Sequence, residues 1–280
     1  MAAAAAVVKP TLHYFAFRGR AFASRVALFN ALGKDGWIDQ RVSLPRFQKQ
    51  QQHQQQQQQQ HSNQSQTTPL PPPPLTDYVT KTLPQLDLPA AFFNDGRSKS
   101  SNTAAAGVTK LTQSHAIARY AAKLLPPTHT TNNTHNHNNT TTTNTHFVPQ
   151  LYPTDPYDAL LVDEAIAIVE QILLLTPKDA DPTVKAQNRK QYYQSGYLRI
   201  GMEVLERRLH DTAAGGPFLL GPHMTIGDLY LRAPLGDLFE YQQFDGIPAS
   251  FYHDFPQIQH CAAAVLEHPL VKKYHQHYKN

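Results

Sequence analysis

Residues 108–125, VTKLTQSHAIARYAAKLL, set the order of elements in the first half of the chain. Val108–Leu111 reads as a strand, and Ser114–Leu125 as an amphipathic helix that stops at Pro126 and Pro127. Working upstream, Leu88–Phe93 is a short apolar run preceded by Pro84 and containing Pro89, which predicts a strand. Asn94-Asp95-Gly96 after it is a hairpin signal, although a Ser/Ala-rich stretch lengthens the loop. Further back, Thr11–Phe17 (TLHYFAF) is β-branched and aromatic and predicts a strand, with Gly19 as the turn that follows. Residues 21–32 place Phe22, Val26 and Phe29 at helical spacing, with Gly33 suited to the C′ position. Trp37–Ser43 predicts a second strand. The order is therefore βαβ and then ββα, which is that of a thioredoxin-like fold.

Downstream of residue 150 the signals are helical. Asp155-Pro156 pairs an N-cap with a proline at the first helical position and predicts a helix to about residue 175. Asp181-Pro182 repeats the pair and predicts one long helix to about residue 210. Thr225-Ile226-Gly227-Asp228 is a capping-box variant, in which hydroxyl and carboxylate satisfy each other's orphan amides, and it opens a helix through Leu229–Phe239. Ile258–Leu266 and Leu270–Tyr278 complete the set. The expected fold class is an α/β thioredoxin-like N-terminal domain followed by an all-α C-terminal domain.

Composition explains the remainder of the 280 residues. Only 16% are charged, against roughly a quarter in a typical soluble domain. The deficit is filled by Gln, Asn, Thr, His and Pro, concentrated in residues 48–76 and 126–150, and residues 97–107 are a further simple, Ser/Ala-rich stretch. Such tracts bury too little apolar surface to offset their ordering entropy, so disorder is expected there. Setting them and the Ala-rich leader 1–8 aside leaves 207 residues that could pack a core. The expected organisation is a flexible leader 1–8, a first domain 9–125 carrying inserts 48–76 and 97–107, a Thr/Asn/His linker 126–150, and a helical domain 151–280. Six of the 15 histidines fall in the tracts, but metal binding needs convergent geometry, and no metal is expected.

Several partners are excluded on the same grounds. The net charge is +4 with basic residues scattered, so a nucleic-acid surface is not expected. No apolar run approaches the roughly 20 residues that span a bilayer, and the leader lacks the charged region of a signal peptide. Cys261, the sole cysteine, precludes an intramolecular disulfide and reads as a small apolar filler of a late helix. A cytoplasmic enzyme or binding protein remains.

Thr11-Leu12-His13-Tyr14-Phe15 with Gly19-Arg20-Ala21, the block Leu111–Tyr120, and the Thr225–Asp228 box together resemble cytosolic glutathione transferases. The style is that of the sigma class, which includes glutathione-dependent prostaglandin D synthases. Phe255-Pro256 and His268-Pro269-Leu270 add to the likeness, which covers nearly all of the 207 residues. The resemblance implies glutathione as co-substrate, activated as its thiolate, with hydrophobic electrophiles as second substrates and a homodimer as the assembly.

The resemblance also places the site. Tyr14 stands at the catalytic tyrosine, whose O–H can donate to a thiolate sulfur and favour the charged form. On spacing alone Tyr14 reads as a core tyrosine, and Arg20 six residues on reverses that order. Arg20 is expected to support the hydroxyl and keep the site electropositive. Gln113 and Ser114 open a helix whose free amides suit the γ-glutamyl carboxylate, although Ser114 also reads as a plain N-cap. Pro89 is taken as a cis-proline that turns the backbone N–H and C=O of Leu88 toward the cysteinyl part of glutathione. Phe17 and Leu173 are expected to line the second-substrate pocket.

Three positions depart from the family pattern, and a fourth is interrupted. Leu86 and Asp87 stand where a glycine and a Lys or Gln are usual, and Asp87 would repel an anionic peptide. Phe47 matches an aromatic contact but adjoins the Gln tract. Gln171 stands where an acidic residue of the first long helix is expected to reach the ligand's amino group. Two further readings therefore stand beside conjugation: a catalytically weak binding or scaffold protein, and a glutathione-dependent isomerase of lipid peroxides.

Overall fold

The structure, a computed structural model, describes residues 9–43, 84–89, 108–124, 149–241 and 246–278. The leader 1–8, Phe47, the Gln and Ser/Ala tracts, Ala90–Phe93, the Asn94–Gly96 turn and nearly all of the 126–150 tract lie outside those residues.

Four strands form one mixed sheet: β1 (Thr11–Phe15), β2 (Ile38–Val42), β3 (Gln85–Pro89) and β4 (Val108–Thr112), in the order β2-β1-β3-β4. β1 and β2 are parallel, whereas β3 runs antiparallel to both β1 and β4. Helices α1 (Phe22–Leu32) and α2 (Ser114–Lys123) pack against the core built on Leu12, Leu86 and Leu88, each completely buried. β3 begins three residues before the expected start, because Gln85–Asp87 finds partners on both sides, Leu12 opposite Leu86 and Leu86 opposite Leu111. This is the thioredoxin-like half.

The other half is all helical: α3 (Pro156–Leu175), α4 (Pro182–Gln194), α5 (Tyr197–Thr212), α6 (Ile226–Tyr230), α7 (Asp237–Glu240), α8 (Pro256–Glu267) and α9 (Pro269–His277). Asp155 and Asp181 cap α3 and α4 as expected, each carboxylate accepting two backbone amides at 2.7–3.0 Å. The single helix expected from 182 to 210 is two. Ser195 and Gly196 both turn their N–H groups onto the Gln191 carbonyl, and a Cβ on Gly196 would sit 2.8 Å from Tyr192 Cα. A straight helix cannot continue through that packing.

The Thr225–Asp228 box forms and is buried. Asp228 accepts from the Thr225 amide at 2.7 Å, the Thr225 hydroxyl at 2.8 Å and the Leu219 amide at 2.8 Å. The helix it opens is interrupted, because Pro234 has no N–H to donate and Ala233 adopts an extended conformation (φ −153°, ψ 124°). α7 resumes after this kink. α6 packs against both α3 and α1 and so joins the two halves. Among the described residues no helix is long and apolar enough to cross a membrane.

Candidate functional site

β1 delivers Tyr14 to its C-terminal end on the same face as Leu12, so the phenol ring is almost wholly buried while its hydroxyl reaches the following turn. The ring meets Phe15 and Phe17 edge-on at 5.1 and 5.7 Å, and the Arg25 guanidinium lies 5.9 Å above it. Phe17, 43% exposed, stacks on Phe15. The turn then tightens through Gly19 at φ +41°, where a Cβ would come within 2.6 Å of the Phe17 ring and 3.3 Å of the Tyr14 hydroxyl. Only glycine fits that close approach. The next residue, Arg20, turns its backbone N–H toward the Tyr14 hydroxyl.

Burial raises the Tyr14 pKa above the usual 10, with the Arg20 and Arg25 charges and the Arg20 N–H acting in the opposite direction. Tyr14 is therefore protonated at neutral pH and free to donate a hydrogen bond. In the same site the Arg20 guanidinium lies 2.7 Å from Glu170 of α3, and Ser114 Oγ donates to the other Glu170 oxygen at 2.6 Å. Behind the pair, Tyr230 is fully buried with no hydrogen-bond partner for its hydroxyl among the described residues, and burial pushes its pKa far above the usual range. Tyr14, Arg20 and Ser114 are thus brought to one place, and Glu170 links two of them.

Gln113 caps α2 through its backbone at φ +75°, a strained position for a non-glycine residue, and its side chain is exposed. Ser114 is the first residue of α2 and not its side-chain cap, since its hydroxyl goes to Glu170.

Leu88 and Pro89 are not part of this cluster. The register sets Gln85 opposite Thr112 and Pro89 opposite Val108, so the Leu88–Pro89 end of β3 is remote from Ser114. Leu88 is core, paired with Thr109, and the Leu88–Pro89 bond is trans; among the described residues the cis bond is Ala233–Pro234. A proline can end a strand there because it needs no ladder donor. The proline that does border the site is Pro84, buried and one residue before β3, at the end where Gln85 meets His13. Its place beside Tyr14 became visible only with the register.

Two departures also change meaning. Asp87 projects from the sheet face opposite to Tyr14, where it takes His13 Nε2 at 3.1 Å and Gln85 Nε2 at 2.6 Å. Gln171 is exposed and accepts from the Tyr197 hydroxyl at 2.6 Å. The acidic group of α3 that faces the site is its neighbour, Glu170. Leu173 stands one turn beyond Glu170 on that side of α3 and is half-buried against the core. Cys261 is buried with its thiol on Asp228 at 3.4 Å, a packing role.

Residues 172–277 match the family model of the glutathione S-transferase, C-terminal domain. The chain has the glutathione transferase fold. A sigma class glutathione transferase of Fasciola hepatica superposes with a TM-score of 0.57 at 15% identity, covering 97% of each chain. Rat hPGDS complexed with a quinoline gives 0.55 at 16% identity over 95% of this chain and 96% of that one. Prostaglandin synthase D of Nilaparvata lugens gives 0.54 at 15%, covering 96% and 98%. A search of curated proteins finds no match. At these identities the glutathione transferase likeness establishes architecture, and the chemistry is argued from the cluster itself.

Proposed function

We propose that the protein is a glutathione transferase of sigma-like type, in which Tyr14 holds the glutathione sulfur as a thiolate for attack on apolar electrophiles. The observation that carries this reading is the placement of the Tyr14 hydroxyl, protonated at neutral pH, against the Arg20 N–H in a turn that also presents the Arg20 guanidinium. A thiolate is the reactive form of a thiol, and a fixed donor plus a nearby cation favour it over the neutral form. The first turn of α2, with Gln113 and Ser114, offers free amides suited to the γ-glutamyl carboxylate. Glutathione is the co-substrate and no metal is required. Phe17 and Leu173 offer apolar surface for the electrophile, which includes lipid peroxides of the prostaglandin type, and the assembly is a cytoplasmic homodimer.

One observation favours a second reading, that of a catalytically weak binding protein. Glu170 already occupies the Arg20 guanidinium and the single Ser114 proton, so a ligand carboxylate must displace a bonded carboxylate. One experiment separates the two: retention on immobilised glutathione together with conjugation to a generic aromatic electrophile. Retention with turnover supports the transferase, retention without turnover supports the weak binder, and no retention rejects both.

A further inference from the structure

The turn between Tyr14 and Arg20 is gripped from two sides. From within, buried Arg25 donates Nη1 to the Phe17 carbonyl and Nη2 to the Phe15 carbonyl, both at 2.7 Å. The second grip comes from the helical half. Asp237, the first residue of α7 and 4% exposed, lies 3.0 Å from Arg18 Nη2, with the Gly19 backbone N–H turned toward it. Arg232 Nη1, 2.9 Å away, balances it from below.

Glu240, one turn further, takes Arg232 Nη2 at 2.6 Å and Arg18 Nη2 at 3.4 Å. Arg18 also donates to the Tyr241 hydroxyl at 2.5 Å and lies 5.5 Å from the centre of its ring.

Two features set this network apart from an ordinary contact between halves. Its inner bonds converge on Arg18 and Gly19, the two residues directly before Arg20, whose N–H meets the Tyr14 hydroxyl. Gly19 is also at φ +41°, and a glycine there has wide conformational freedom, so outside contacts must determine the turn. A buried carboxylate shared between two guanidinium groups is a stiff restraint, because breaking either ion pair leaves a desolvated charge poorly matched. The kink at Ala233–Pro234 is what brings α7 round to that position, as Asp237 follows it directly.

We propose that Asp237 is a positioning residue for the reaction: by holding the Gly19 amide and the Arg18 guanidinium it keeps the Arg20 N–H on the Tyr14 hydroxyl, and so keeps that hydroxyl aimed at the glutathione sulfur. The proposal rests on the function given above. It extends the site into α7.

The test uses the full chain carrying Asp237→Asn, with two readouts. The first is amide hydrogen exchange in the Phe15–Ala21 segment, expected to quicken about tenfold while α1 stays protected. The second is the ultraviolet absorbance of bound glutathione thiolate against pH, whose midpoint is expected to rise by about one unit. That rise lowers kcat by up to about tenfold at neutral pH with KM for glutathione within about twofold. Unchanged exchange in the turn overturns the proposal, as does faster exchange with an unmoved midpoint. Should Asp237→Asn fail to fold, Arg18→Gln removes the other half of the contact from a less buried position and is read in the same way. Should the wild-type protein take up no glutathione, the proposed function fails by itself. The exchange result then decides alone: quickening supports the hold on the turn and no change overturns it.

Discussion

Ser114, the first residue of α2, donates its hydroxyl to Glu170 of α3 at 2.6 Å, so a carboxylate from the helical half closes directly on the helix start that faces the proposed γ-glutamyl group. The same carboxylate takes Arg20 at 2.7 Å. Binding an anionic peptide there means rearranging an existing ion pair, which gives the first prediction. Glu170→Gln keeps the shape and removes the charge, freeing Ser114 and Arg20, so KM for glutathione should fall. Ser114→Ala should instead raise KM about tenfold with kcat within about twofold, because that contact is equally present in the ground and transition states. Steady-state kinetics of the two variants check the pair. A higher KM in Glu170→Gln would mean that the carboxylate contacts the ligand favourably.

Tyr14→Phe removes the proposed donor and little else. Losing one preorganised donor to a developing or stabilised anion typically costs about 10²–10³ in rate, so kcat should drop by that order while glutathione is still retained. The sign of the pH effect follows from the raised Tyr14 pKa. The protonated form is favoured in the folded state, so this stability is complete below the unfolded value near 10 and is lost as pH rises through the folded value. The wild-type rate profile should accordingly show no alkaline limb from Tyr14 below pH 10. An inflection between about 7 and 9 that vanishes in Tyr14→Phe would show that the phenol itself ionises there.

Much of this arrangement was legible in the chain, and the reasons for the exceptions are physical. Local signals hold where one element carries them: the Asp-Pro caps of α3 and α4, and the Thr225–Asp228 box. The errors arose where the answer depends on pairing between elements. Leu88 and Pro89 look like a strand entry by composition, yet the register with Thr109 and Val108 puts them at the wrong end of β3. Gln171 and Glu170 differ by one position, about 100° around a helix, and no local feature says which faces Arg20. Asp87 reads as repelling the ligand because sequence distance ignores which sheet face a residue occupies. Asp237 carries no signal at all, since its bonds to Arg18 and Gly19 span more than two hundred residues and depend on the kink at Ala233.

Gly19 and Gly33 provide a contrast between a glycine that borders the proposed site and one with open space around it. Both have positive φ, +41° and +70°, so each loses about 1 kcal/mol on substitution by alanine from backbone strain alone. At Gly33 nothing lies within 4 Å of a new Cβ, whereas at Gly19 it would strike the Phe17 ring at 2.6 Å and crowd the Tyr14 hydroxyl at 3.3 Å. Gly33→Ala should lower the denaturation midpoint modestly with activity per folded molecule unchanged. Gly19→Ala should cost more stability and about tenfold or more in kcat, because displacing the Arg20 N–H by a fraction of an ångström misaims the phenol. Denaturant titration and kinetics on the same samples distinguish the two. Equal specific activities would remove Gly19 from the argument.

Acid should weaken the fold through three histidines. Burial lowers the pKa of His115, His268 and His275, with Arg119 and Arg20 adding to the effect at His115 and Arg18, Arg232 and Arg41 at His275. A base whose folded pKa lies below its unfolded value of about 6.5 binds fewer protons when folded. The stability this confers is fully present above that value and is lost as pH falls through it toward the folded values, because the unfolded chain takes up protons the native state refuses. The thermal midpoint should therefore decline between about pH 7 and 5. His115 differs from the other two in lying one residue from Ser114, so its protonation adds a cation beside the helix start while opposing the fold. In His115→Gln the acid decline should be shallower than in the wild type, and thermal melts of both proteins across that range provide the check. Parallel curves would mean that His115 is not a source of the acid sensitivity.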